Sequence, residues 1–322
     1  MLLNIVYIIV GIALVLWGAD RLTDGAVAIA ERMHIPQIVI GLTIVAMGTS
    51  MPEFCVSLVS ALKGTPDMAV GNVVGSNVFN SLLIVGVAAL IAPMTILPAT
   101  VKKDIPFALV SSFLLTFFCI DGEISRTDAG LLFLLFVVFM AMTLNSAKTA
   151  KGNNNNDASQ AMPDTSETDG KVSVLKSVGF VLLGLGCLIG GSNIFVTGAS
   201  EVAKAFGISD AVIGLTIVAM GTSLPELATT AVSARKGNSG IAIGNVLGSN
   251  VFNILMVVGV TGLISPMTLN GITSVDLTML VVSMLLLWLF SFTKYTIQRW
   301  EGAVLSVLFA VYLAYLVLQA IG

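Results

Sequence analysis

A ten-residue string, GLTIVAMGTS, occurs twice in this chain, at 41–50 and again at 214–223. At the same offset of 173 residues, Pro52 and Glu53 match Pro225 and Glu226, and Lys63-Gly64 match Lys236-Gly237. GNVVGSNVFN at 71–80 likewise matches GNVLGSNVFN at 244–253, and a Pro-Met-Thr recurs at 93–95 and 266–268. Without gaps, 33 of the 51 positions from 41 to 91 equal their partners. The chain must therefore fold as two copies of one unit, and whatever medium suits one copy must suit the other.

That medium is lipid. Of the 322 residues, 56% are hydrophobic and 10% charged, with a mean hydropathy of +0.99. A soluble domain spends about a quarter of its residues on charge, so a soluble fold could not cover its own surface here. With 15 Lys+Arg against 18 Asp+Glu there is no basic footprint for nucleic acid. Cys55, Cys119 and Cys187 are scattered through apolar runs and read as small apolar filler, not as a disulfide framework or zinc site.

A membrane-crossing helix needs about 20 mostly apolar residues. Ten stretches qualify: 2–20, 35–62, 68–92, 105–120, 128–146, 173–197, 208–234, 240–264, 275–293 and 301–321. The first has neither a basic leader nor a small-residue cleavage site, and reads as a retained span. The long second and seventh contain Gly and Pro and should be broken helices. Residues 147–172, with Asn153 to Asn156 in a row, read as a flexible linker. They lack the alternating ligands and glycine of an EF-hand loop. The expected organisation is thus an all-α polytopic membrane protein of ten transmembrane helices: a first five-helix repeat (1–146), the linker, and a second repeat (173–322).

Five is odd, so the two copies must cross the membrane in opposite directions. Inverted repeats of this kind build secondary transporters, whose substrate sites lie at the midplane between the halves. With the N-terminus outside, the inner loops hold 12 of the 15 Lys and Arg residues, leaving Lys63, Arg126 and Lys204 outside. This bias puts both termini outside and the linker in the cytoplasm, in the cell (inner) membrane.

The repeated polar residues carry chemistry. Pro52 cannot donate to the carbonyl of Gly48 and crowds it, so the helix should open there, which membranes tolerate only beside protein or a wet cavity. Thr49 and Glu53, four apart, share a face. Asn72, Ser76 and Asn80 stack along another, as do Asn245, Ser249 and Asn253. The glycine pairs Gly71/Gly75 and Gly244/Gly248 let a neighbouring helix approach closely. The outcome is an all-oxygen cluster suited to calcium or sodium and not to soft metals. Asn72 and Asn245 read equally as helix glue or as part of it. Glu53 and Glu226 are the deep carboxylates, each costing at least about 3 kcal/mol at the bilayer centre. A bound cation neutralises them most simply; two carboxylates balance one divalent or two monovalent ions. Protonation is the other way to discharge them.

On these paired GTSxPE and GNxxGSNxxN segments the chain resembles the calcium/cation antiporter superfamily, in its prokaryotic sodium/calcium exchanger-like branch, across essentially its whole length. The resemblance implies one pocket holding calcium or sodium in alternation, with Glu53 and Glu226 as central ligands. Thr49, Ser50, Ser76, Thr222, Ser223 and Ser249 would supply mainly sodium-site oxygens, with the carbonyls of Ala46 and Ala219, and Asn80 and Asn253 the remaining central pair. Some relatives carry Asp at the position of Asn253, so this pocket has two fixed negative charges and not three. The family also implies three sodium for one calcium, and a first and sixth helix that slide across the other eight. Gly11, Gly18, Gly184, Gly186, Gly190 and Gly191 would offer smooth sliding faces.

His34, Asp20 and Asp24 read as interfacial residues solvated at the inner boundary, and Trp17, Trp288 and Trp300 as an aromatic belt. No cofactor and no obligatory protein partner are expected, only the ions and the bilayer. Proton/calcium (or other divalent cation) antiport through the same pocket stays open as the alternative. A channel would not need the broken inverted repeats, and an intramembrane enzyme would need a nucleophile–base pair that is missing.

Overall fold

The computed structural model describes residues 1–153, 174–207, 213, 217 and 219–321. Expectations for most of the linker, and for part of the seventh stretch, fall outside these residues. The described chain is all-α apart from two minimal strand pairings. Its longer helices are α1 (Leu2–Met33), α2 (Gln37–Thr49), α3 (Met51–Leu62), α4 (Pro66–Ile91), α5 (Asp104–Phe118) and α6 (Arg126–Asn153), then α7 (Val174–Ala205), α8 (Leu224–Arg235), α9 (Ser239–Ile264), α10 (Ser274–Ser291) and α11 (Arg299–Ile321).

Seven of these are long and apolar enough to cross a membrane, and the bent pair α2–α3, kinked by 46°, makes up to eight. The stretch expected at 105–120 forms a 15-residue helix. At 1.5 Å per residue it spans about 22 Å, short of a hydrocarbon core of about 30 Å. In the stretch expected at 208–234, the described helical pieces are Ala219–Thr222 and the 12-residue α8. The outer faces of the long helices carry exposed Ile9, Phe117, Leu134, Leu182, Val311 and Leu318, as lipid-facing helices should. Helices α4 and α9 are the reverse: both are buried along most of their length and form the centre.

α1 runs well beyond residue 20. Its second half buries Leu22, Thr23, Ala26, Ile29 and Ala30, and it ends where His34 takes a left-handed conformation (φ 56°) whose amide closes on Ala30 and Glu31. Pro36 then blocks continuation. The Pro-Met-Thr repeats find a role as well. Met94–Thr95 pairs antiparallel with Thr296–Ile297, and Glu123–Ile124 with Met267–Thr268. Each pairing joins one half of the chain to the other.

The glycines of α1 and α7 do not form sliding faces toward the rest of the bundle. They face each other. A Cβ on Gly11 would lie 2.8 Å from the carbonyl of Gly191, one on Gly18 2.8 Å from that of Gly184, and one on Gly25 2.7 Å from that of Ser177. The helices therefore run antiparallel in backbone contact, and the small residues bind the pair together. Gly186 and Gly190 have nothing near them.

Candidate cation-binding site

Both proline breaks take one shape. Ser50 sits between α2 and α3 at φ −83°, ψ 8°, and Ser223 precedes α8 at φ −89°, ψ 8°. This sparsely populated bridge conformation is common at functional sites. Pro52 and Pro225 follow in the first turn of the new helix, where a missing amide costs nothing. Glu53 and Glu226 then fall in the first turns of α3 and α8, where the positive end of the helix dipole favours a carboxylate.

The two breaks are joined crosswise. Ser50 Oγ donates to Glu226 Oε1 at 2.7 Å, and Ser223 Oγ donates to Glu53 Oε1 at 2.8 Å. Thr222 also lies close to the Glu53 carboxylate, and Thr49 and Ser249 lie close to that of Glu226. Each carboxylate is therefore reached by hydroxyls from the opposite half of the chain.

Asn245 fixes the arrangement from the side. Its Nδ2 donates to the backbone carbonyl of Glu226 (3.3 Å) and to Thr230 Oγ1 (3.0 Å), while its Oδ1 accepts from Thr49 Oγ1 (3.1 Å). Asn72 repeats the pattern, donating to the carbonyl of Glu53 (3.2 Å) and to Ser57 Oγ (3.0 Å). Asn72 and Asn245 act here as glue that holds the turns carrying the glutamates. Ser57 and Thr230 stand 15 residues before these asparagines, a signal the repeat contained but side-chain periodicity did not expose.

Close helix approach does occur where α9 meets α2. Gly244 lies against Ile38 and Gly41, and Gly248 against Leu42 and Ala46. For Gly71 and Gly75 the corresponding partner stretch falls mostly outside the described residues. Further along, π-helical turns at Asn80–Ile84 and Phe252–Val258 re-aim Asn80 and Asn253. Asn80 Nδ2 donates to Asn250 Oδ1 (3.1 Å), and Asn253 Nδ2 donates to Ser76 Oγ (3.1 Å). Ser76 spends its proton on the backbone of Asn72, and the Ala46 carbonyl already accepts from Ser50 N and Thr49 Oγ1. Ala219 opens the short helix before Ser223.

Among the described residues, five oxygens of the site stand unsatisfied, beside both amide atoms of Asn77 on α4. Glu53 Oε2, Glu226 Oε2, Asn80 Oδ1, Asn253 Oδ1 and Ser249 Oγ are buried without a hydrogen-bond partner. The amide nitrogens of Asn80 and Asn253 are both engaged, so these side chains leave acceptors, not donors, unpaired. A buried carboxylate without a counter-charge costs several kcal/mol. Orphaned acceptors around two carboxylates form a donor set for a hard cation.

Comparison with known proteins matches this architecture. The family model described as "Sodium/calcium exchanger protein" matches residues 3–145 and again 176–318. CaxA of Alkalimonas amylolytica is 37% identical over 97% of this chain and 98% of its own length. The sodium/calcium exchanger MaX1 of Methanosarcina acetivorans is 33% identical, covering 97% and 98% of the two chains. Among solved structures, that of the sodium-calcium exchanger NCX_Mj superposes with a TM-score of 0.82 at 30% identity, over 98% of both chains.

Proposed function

Because the chain belongs to the sodium/calcium exchanger protein family, we propose that it exchanges sodium for calcium by alternating access, both ions competing for one pocket around Glu53 and Glu226. The observation that carries this is the set of orphaned buried oxygens: both Oε2 atoms, Asn80 Oδ1, Asn253 Oδ1 and Ser249 Oγ. Thr49, Ser50, Thr222 and Ser223, with the carbonyls of Ala46 and Ala219, stand around them and complete the sodium positions, and Ser76 supports Asn253. The transported ions are substrates; no cofactor takes part, and the chain is a transporter and not an enzyme.

Antiport follows from electrostatics. An empty pocket holds two buried like charges, and moving it through an occluded state removes both from water, at several kcal/mol per charge. One calcium, or two or more sodium ions, cancels that cost. The pocket therefore changes access only when loaded, and loading by one ion requires release of the other. The serine hydroxyls that donate to the carboxylates can rotate to present lone pairs to a cation.

We read the fold as ten spans in two inverted five-helix repeats, 1–146 and 173–322, with the short α5 and α8 regions completing the count and 147–172 as the linker. Both termini lie outside and the linker in the cytoplasm. The equivalence of the two breaks, and the crosswise strand pairings, support this reading.

The test is calcium uptake into proteoliposomes of the purified protein, with an outward sodium gradient set against a proton gradient at matched voltage. Uptake that needs internal sodium supports the proposal. Uptake that follows only the proton gradient overturns it and makes the two glutamates proton carriers.

A further inference from the structure

The two halves are alike around the glutamates but unlike at the ends of the bundle. At the end where α8 finishes, Lys236 Nζ lies 2.6 Å from both Asp20 Oδ1 and Asp24 Oδ1 of α1. Arg21 pairs with Asp20 at 3.1 Å and lies over the rings of Trp17 and Phe180, the latter on α7. Between the two aspartates, Thr23 Oγ1 and Ser233 Oγ share a buried hydrogen bond of 3.1 Å. Leu22, Ala26 and Ile29 of α1 belong to one buried apolar cluster with Ile40, Val45, Ala228 and Ile241. Asp20 and Asp24 are thus not simply solvated; they tie α1 to the end of α8.

At the opposite end the same positions, 173 residues away, read differently. Lys63 is present, but Asp20 becomes Asn193, Asp24 becomes Thr197 and Thr23 becomes Val196, opposite Ser60. Lys63 makes no ion pair among the described residues. α1 packs closely along α8, whereas α7 barely meets α3. Leu22, Thr23, Ala26 and Ile29 are buried, while their counterparts Phe195, Val196, Ala199 and Val202 are all partly exposed. Among the described residues, one end is closely packed and the other is looser.

In an inverted repeat, the second access state arises when the two halves exchange conformations. With identical halves the states would be equal in energy, so any bias must come from positions where the copies differ. We propose that Asp20, Thr23 and Asp24, closing on Ser233 and Lys236, form a one-sided latch that favours the access state in which this end is shut. The latch rests on the alternating-access reading above, but not on which ion is carried. In the exchanged state Lys63 would meet an amide and a hydroxyl in place of two carboxylates, and Ser60 would meet a valine, so no equivalent latch closes.

The test uses the full chain in nanodiscs, with Cys55, Cys119 and Cys187 replaced by alanine and one reporter cysteine at Ala26→Cys or Ala199→Cys. An impermeant maleimide reads the accessibility of each end. Against the same background with the latch intact, Asp20→Asn with Asp24→Thr copies the other half and removes the carboxylates. Each exposed ion pair biases an equilibrium roughly one-and-a-half- to fivefold, so labelling at Ala26→Cys should rise about two- to twenty-fivefold while labelling at Ala199→Cys falls. Asn193→Asp with Thr197→Asp builds a latch at Lys63 and should shift both reporters the same way. Simple loosening of the protein would raise labelling at Ala26→Cys without lowering it at Ala199→Cys, and that result overturns the latch. If sodium and calcium shift the reporters but the latch variants do not, the latch alone is wrong. Reporters that no ion shifts would instead count against alternating access itself.

Discussion

Ser50 and Glu226, 176 residues apart in sequence, are hydrogen-bonded at 2.7 Å, and the reciprocal pair Ser223 and Glu53 meets at 2.8 Å. Neither glutamate is served by the serine of its own break. Each half of the chain therefore supplies the charge that the other half's hydroxyl satisfies, and neither half forms the proposed pocket alone.

Removing either hydroxyl should cost stability chiefly when ions are absent. Ser50→Ala leaves Glu226 Oε1 without its buried donor, a loss of about 1–3 kcal/mol. Calcium should restore most of it, because the cation takes over the carboxylate. Thermal unfolding of Ser50→Ala and Ser223→Ala in detergent, with and without calcium, checks this. An equal loss in both conditions would show that the serines matter for packing only.

Glu53→Gln and Glu226→Gln should each abolish calcium flux while the protein still inserts and folds, since an amide keeps the shape and removes the charge. Wild-type protein at a calcium concentration of 100 times its Kd should gain about 2.7 kcal/mol from binding. The variants should gain almost none. Wild-type flux from either variant would remove the glutamates from the site.

Asn245→Ala should be more damaging than most buried asparagine losses. It removes hydrogen bonds to the Glu226 carbonyl, Thr230 and Thr49 at once, and each buried group left unpaired costs about 1–3 kcal/mol. Its effect on calcium affinity should exceed that of Asn250→Ala, since Asn250 bonds Asn80, Ser81 and Met284 and neither turn that carries a glutamate. Isothermal titration of calcium into the two variants ranks them.

The glycine seam predicts opposite signs for two substitutions on one helix. Gly191→Ala would place a Cβ 2.8 Å from Leu14 Cβ and 2.9 Å from the Gly11 carbonyl, and overpacking should cost about 1–3 kcal/mol. Gly186→Ala meets nothing within 4 Å and should gain about 0.5–1 kcal/mol from helix preference. Melting temperatures of the two variants decide the matter, and a stabilising Gly191→Ala would mean that α1 and α7 are not in backbone contact.

Burial draws the Lys236 ammonium down, but its hydrogen bonds to Asp20 and Asp24 outweigh this and hold it above the ordinary lysine value. A raised folded value means that the stabilising contribution is complete below the unfolded lysine value, about 10.4, and is lost as pH rises through the folded one. The stability difference between wild type and Lys236→Met should therefore be flat near neutrality and shrink in the alkaline range. Unfolding midpoints followed into that range, with Arg21, Asp20 and Asp24 intact, would show it.

Much of this protein could be read without coordinates. Membrane residence, the duplication, the proline breaks and the oxygen-rich cluster proposed as the cation pocket all follow from local facts: hydropathy, a repeated string, a proline four residues after a glycine carbonyl, polar residues at helical spacing. What neighbouring residues do to one another within a helix is set by the helix. Sequence spacing is silent about register between helices that meet from opposite halves. Gly11 and Gly18 could equally have faced the bundle or α7, and Asp20 could have faced water or Lys236. Ser50 could have capped its own glutamate. Packing decided each case, because a buried hydroxyl, a bare glycine backbone and an interfacial carboxylate each take the partner that the assembled bundle brings within 3 Å or so, and that partner lies more than 150 residues away.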